Sequence, residues 1–145
     1  MNSKGLCFIG ILTLFLSSSL YPHGEDIPGP NSGKIRMPGP FHTEVVRSKE
    51  NEYKIFLLDM DFKNPTVSDS TISARIKTDK GEKELKCSPI RNYFLCKSDA
   101  LSADSKGELI LQPVRSSVKG MEVRYDLPLL KSEMNSHREV HRHGE

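Results

Sequence analysis

The chain has 145 residues, 36% of them hydrophobic and 28% charged, with 21 Lys and Arg against 19 Asp and Glu. That length holds one domain at most and excludes an enzyme with separate cofactor and substrate domains. A net charge of +2 argues against an electrostatically driven nucleic-acid binder, and the ordinary apolar content argues against wholesale disorder.

Taken in chain order, the first element is a leader. Residues 5–16, GLCFIGILTLFL, carry no charge; Lys4 precedes them, and Ser17, Ser18 and Ser19 follow. A positive start, an apolar run and a small-residue exit predict a secretory signal peptide over residues 1–19, with an uncleaved anchor as the alternative. The run is shorter than the roughly 20 residues that cross a bilayer, so no membrane span is expected after cleavage. Cys7 lies inside the run, too early for the lipid-bearing cysteine of a lipoprotein. Cleavage removes Lys4 and leaves a charge of 20 − 19 = +1. The expected location is periplasmic or secreted.

Residues 20–32 contain Pro22, Gly24, Pro28, Gly29 and Pro30 and predict an extended, irregular lead-in. The folded body is expected over 33–130, followed by a polar His-containing tail over 131–145. Within the body, strands are predicted at 34–37, 41–47, 52–59, 71–78, 82–88, 93–97, 108–113 and 121–127. Ile72-Ser73-Ala74-Arg75-Ile76-Lys77 alternates apolar and polar residues, the period of a half-buried strand. Ile55-Phe56-Leu57-Leu58 is apolar on both faces and predicts a central, covered strand. Met37-Pro38-Gly39-Pro40, Lys63-Asn64-Pro65, Asp79-Lys80-Gly81 and Lys119-Gly120 predict turns. No segment of the body carries a long helical stripe. About seven or eight short strands predict an all-β, immunoglobulin-like β-sandwich, with a small β-barrel as the competing layout.

Without the leader, Cys87 and Cys96 are the remaining cysteines. An even pair in an exported chain reads as a disulfide. A two-residue turn at Arg91-Asn92 would set Ile90 against Tyr93, Pro89 against Phe94 and Cys87 against Cys96. Cα atoms directly opposite at a non-hydrogen-bonded site stand about 4.5 Å apart, within bridging range. A redox or copper-thiolate pair is the rival reading, and the spacing is not that of a C-x-x-C motif.

No GxSxG, HExxH or phosphate-binding glycine loop occurs, and the chain is not expected to be an enzyme. Asp59 and Asp61 would share a strand face able to hold a hard cation, although a solvated strand end is the plainer reading. In the tail, His137 and His141 are four apart and His141 and His143 two apart. Three imidazoles so close suit Cu(II), Ni(II) or Zn(II), with Glu139 or Glu145 as an added oxygen ligand. Arg138 and Arg142, interleaved there, oppose a cation, and a plain polar tail is an equal reading. A second candidate lies in the body. His42 and Glu44 share one face of the predicted strand, opposite Phe41, Thr43 and Val45, and Met37 approaches from the preceding turn. Thioether, imidazole and carboxylate together suit copper; a histidine on the polar face of a half-exposed strand is the plainer reading. His23 could join such a set, but Pro22 lacks the amide proton that an N-terminal copper site would lose.

The stretches His23-Gly24-Glu25-Asp26-Ile27-Pro28-Gly29-Pro30-Asn31-Ser32-Gly33, Pro38-Gly39-Pro40-Phe41-His42-Thr43-Glu44 and Tyr53-Lys54-Ile55-Phe56-Leu57-Leu58-Asp59 resemble a bacterial exported module. It is similar to small periplasmic β-domain proteins and to the segment that precedes the adaptor subunits of heavy-metal efflux pumps of the resistance-nodulation-division class. The resemblance spans about residues 23–60. It implies a periplasmic β-sandwich with a metal-linked role, carried by position at His23, His42 and Glu44. Where those segments usually have His-Gly, this chain has Asn31-Ser32, one ligand fewer. The hairpin and barrel domains of an adaptor are missing, so the chain is not expected to be an adaptor itself. Two functions follow as expectations. One is a small exported protein that binds or buffers a transition metal such as copper or zinc. The other is a non-enzymatic interaction or accessory module that recognises an envelope protein partner and has no metal role.

Overall fold

The structure, a computed structural model, describes residues 28–99 and 105–129. Ten strands run in chain order: β1 (Lys34–Gly39), β2 (Phe41–Lys49), β3 (Glu52–Leu58), β4 (Thr71–Thr78), β5 (Gly81–Glu84), β6 (Lys86–Ile90), β7 (Tyr93–Lys97), β8 (Gly107–Arg115), β9 (Val118–Lys119) and β10 (Val123–Leu127). They form two antiparallel sheets. One has the order β1-β2-β3-β7-β6; the other has β10-β8-β4-β5, with β9 paired to β8. The sheets pack face to face as a β-sandwich and do not close into a barrel. No helix occurs among the described residues, and so none there is long and apolar enough to cross a membrane.

The period-2 pattern explains the layers. Phe41 and Val45 of β2, Tyr53, Ile55 and Leu57 of β3, Ala74 and Ile76 of β4, Leu109 and Leu111 of β8, and Val123, Tyr125 and Leu127 of β10 all point inward into one cluster. Each fully buried aliphatic or aromatic side chain there stabilises the fold by about 1.5–3 kcal/mol. One polar link crosses this core. The Tyr125 hydroxyl donates to the Thr43 carbonyl at 3.0 Å and lies 2.5 Å from Thr43 Oγ1. Burial holds the Tyr125 phenol well above its ordinary pKa range.

The two outer faces are covered differently. On the β10-β8-β4-β5 sheet, Ile110 points outward yet is buried. It lies between Arg124 and Arg75 in the register. These arginines pair with Glu108, Glu122 and Glu82 at 2.7–3.3 Å, and their stems cover Ile110. The exposed pairs themselves contribute little. On the other sheet, Ile35, Phe56 and Leu58 form a second buried apolar cluster. The strand expected to be covered on both sides, β3, is the central strand of that sheet, and Ile55, Phe56, Leu57 and Leu58 are all buried.

The structure counts strands differently in three places. The segment expected as a single strand over 82–88 is two. At Leu85 the chain leaves one sheet for the other, and the Leu85 N–H still donates to the Ala74 carbonyl at 2.9 Å. Burying Leu85 in the core between the sheets is what bends it. β9, absent from the sequence reading, is the short return of a hairpin on β8. The turn expected over residues 37–40 is instead the end of β1, where the register slips between Arg36 and Gly39 and sets Met37 and Pro38 as a bulge against His42. The β6–β7 hairpin has the register expected from its sequence, with Cys87 opposite Cys96, a disulfide between them and Cα atoms 4.0 Å apart. Arg91, at φ 54°, supplies the left-handed residue of the two-residue turn.

The leader over residues 1–19, Cys7, His23 and the tail with His137, His141 and His143 lie outside the described residues.

Candidate functional site

β2 places Phe41, Thr43 and Val45 on the core side, and so sends His42 and Glu44 to the outer face, as alternation requires. The two side chains then part company. Glu44 is fully buried, and its carboxylate is filled by the lead-in. Oε1 accepts the Asn31 and Gly33 backbone N–H groups at 2.8 and 2.9 Å, and Oε2 accepts Asn31 Nδ2 at 2.9 Å. The lead-in is a tight turn, with Ser32 N–H donating to Gly29 O and Gly29 N–H to Gly33 O, each at 2.9 Å. Glycine is required where it meets the clamp. A Cβ at Gly29 would collide with the Glu44 carboxylate and Ile35, and one at Gly33 would stand 2.6 Å from the Val45 carbonyl oxygen.

His42, on the same outer face, is engaged by the loop after β3 instead. Its Nδ1 donates to the Asp59 carbonyl at 3.0 Å, and its ring stacks on Phe62 at 4.1 Å between centroids. Met37 sits at the β1 bulge and is exposed. The structure therefore brings Met37 beside His42 and commits Glu44 elsewhere. Among the described residues, no group of three or more His, Cys, Asp and Glu side chains is placed to hold a metal ion. The Asp59–Asp61 pair does not share a strand face. Asp59 follows the end of β3 and organises the loop instead. Its Oδ1 accepts Asp61 N–H and Lys63 N–H at 3.0 and 2.8 Å, and Oδ2 accepts Asn64 Nδ2 at 2.7 Å.

The hydrogen bond from Lys63 is the main reason the Asp59 carboxyl lies below its ordinary value of 3.8. A depressed carboxylate stabilises the fold above the unfolded value and loses that effect as pH falls through the folded one. The loop should therefore hold Phe62 on His42 fully above pH 3.8 and lose that hold only as pH falls on through the lower value of the folded carboxyl. Asp59→Ala should release it at every pH. Ring-current shifts of His42 measured from pH 7 to 2 check this; shifts in Asp59→Ala identical to the parent at neutral pH would disprove the carboxylate's role.

What the sequence reading missed is the end of the sandwich on which this loop lies. β1 and β2 meet there, β3 ends there, β8 turns into β9, and β10 begins. All five exposed large apolar side chains among the described residues are at this end, between 37% and 62% exposed: Met37, Met60, Phe62, Val118 and Met121. They come from separate loops, and hydrogen bonds tie those loops together. Met121 N–H donates to Pro38 O at 2.7 Å, and Ser117 N–H to Asp69 O at 2.7 Å. Arg115 donates to Leu57 O at 3.2 Å and Asn64 O at 3.0 Å. A Cβ at Gly120 would stand 2.8 Å from both Phe41 Cζ and Pro38 Cβ, so the link into β10 packs tightly on the β1–β2 turn.

Backbone strain gathers here too. Phe62, Asn64, Asp69, Ser116 and Ser117 have φ between 46° and 67°, five of the seven non-glycine residues with positive φ among the described residues. Such conformations persist only where surroundings enforce them, and they collect at sites of function. The sequence signal was faint: Met60, Phe62, Val118 and Met121 fall in or beside turns, where apolar residues are not needed for a core. Comparison with protein-family models, with curated proteins and with solved structures finds no match for this chain.

Proposed function

We propose that this protein is an exported, non-enzymatic β-sandwich module that docks a protein partner of the cell envelope through its loop-bearing end. The observation that carries the reading is the collection of Met37, Met60, Phe62, Val118 and Met121 at one end of the sandwich, on loops locked to one another. Contiguous exposed apolar side chains mark interaction sites. Loops held by a rigid scaffold present them at low entropic cost. Two antiparallel layers with recognition loops at one end is how immunoglobulin-like sandwiches are used, and the fold is taken as immunoglobulin-like in that sense. The Cys87–Cys96 disulfide and the apolar leader support export.

A photo-reactive residue at position 62 or 121, in protein made in its own compartment, should give one discrete cross-linked adduct. The same residue at position 80, in the exposed β4–β5 turn at the other end, should give none. Val118→Ser should weaken the adduct. Equal cross-linking at 62 and 80 would sink the reading, and an adduct of twice the chain's mass would make the partner a second copy. The metal reading has one favourable observation, Met37 set against His42 at the β1 bulge. Stoichiometric uptake of copper or zinc by the purified protein, lost in His42→Ala, would favour it instead.

A further inference from the structure

We infer that Met37, Met60 and Met121 are oxidation sites, and that their conversion to sulfoxides withdraws the apolar end from docking. The consequence rests on the docking reading above; the chemistry rests on where the side chains stand.

Methionine is ordinarily a core filler. Here all three methionines among the described residues are about half exposed, and neither apolar cluster contains one. The three occupy the β1 bulge, the loop after β3 and the link into β10, so they converge on one end although their sequence positions are far apart. The two cysteines among the described residues are joined in the disulfide, so no free thiol there competes for oxidant.

The oxidant class is a peroxide. The thioether sulfur attacks one peroxide oxygen, an S–O bond forms and the O–O bond breaks. The departing hydroxide takes up the proton and leaves as water. Sulfur loses two electrons and the peroxide gains them. Each event turns a flexible apolar side chain into a polar hydrogen-bond acceptor. Three of the five exposed apolar groups at this end would change character while the core stays untouched. Oxidation is thereby separated from unfolding, and enzymatic reduction of the sulfoxides restores the surface.

The test uses the full chain, hydrogen peroxide, and anilinonaphthalenesulfonate as the probe of apolar surface. Peptide mass spectrometry should find one added oxygen at each of positions 37, 60 and 121. Dye fluorescence should fall, while the melting temperature moves by less than about 2 °C. Methionine sulfoxide reductases should restore the fluorescence. The triple variant Met37→Leu, Met60→Leu, Met121→Leu should keep its dye binding through the same treatment. Oxidation as slow as that of a buried methionine, unfolding on oxidation, or full dye binding by the oxidised protein would overturn the inference. A reduced protein that binds no dye would overturn the docking reading and the switch together, leaving site-selective oxygen uptake to be judged alone.

Discussion

Glu44→Ala is expected to lower stability by about 3 kcal/mol, because it strands the buried Gly33 N–H and takes the acceptor from the part-buried Asn31 N–H. In a domain of this size that is a fall of roughly 10–20 °C in melting temperature. The lead-in should come free, and amide exchange at Asn31 and Gly33 should rise sharply. Ile35 would be partly uncovered, since Gly29 packs on both Ile35 and Glu44. Glu44→Gln should cost less. One oxygen can still accept the two backbone N–H groups, while its new NH2 group faces the Asn31 Nδ2 donor. Thermal melts and amide exchange check the pair. A Glu44→Ala protein that melts with the parent would show that the clamp adds nothing. The same geometry bears on chemistry: a metal could take Glu44 only by displacing the donors that hold the lead-in.

Cys87→Ala with Cys96→Ala is expected to cost about 2–3 kcal/mol, the chain-entropy value for closing a loop with a sequence separation of 9. β6 should suffer most. It is an edge strand, with one neighbour in its sheet, and Pro89 removes one N–H from its ladder. Cys96 is buried in the core, so its replacement also leaves a small void. Denaturant unfolding of the double variant, and of the parent with and without a reductant, measures the cost. An unchanged midpoint would mean that the hairpin stands on its backbone ladder alone. Added to the loss of the Glu44 clamp, the effects should sum, because the clamp on β2 and the disulfide between β6 and β7 lie on either side of the central strand β3.

Much of the fold was legible in residue order, and particular segments show why. Ile72 to Lys77 alternates strictly, so its strand and its buried face, Ala74 and Ile76, follow from the period alone. Ile55 to Leu58 lacks a polar face, and a strand with no polar face needs cover on both sides. The disulfide register follows from counting outward from Arg91-Asn92. Leu85 shows the limit. Nothing local distinguishes a long strand from one that changes sheets, because the bend is caused by burying one leucine between two layers that the local sequence does not place. β9 is two residues long, too short to carry a period.

The candidate site was less legible. Alternation correctly set His42 and Glu44 on one face, but a shared face is a statement about direction and not about neighbours. Glu44 is claimed by Asn31 and Gly33, from a lead-in that composition marked only as irregular. His42 is claimed by Asp59 and Phe62, brought alongside by the pairing of β2 with β3.

By itself, then, the sequence determined the strand periods, the inward-facing residues, the hairpin and its cysteine register, because each depends on spacing along a few residues of chain. Tertiary structure alone decided which outer face the lead-in covers, where the chain changes sheets, and that Met37, Met60, Phe62, Val118 and Met121 gather at one end. Those depend on contacts between segments tens of residues apart, whose choice of partner is set by filling one core between two sheets and not by any local pattern.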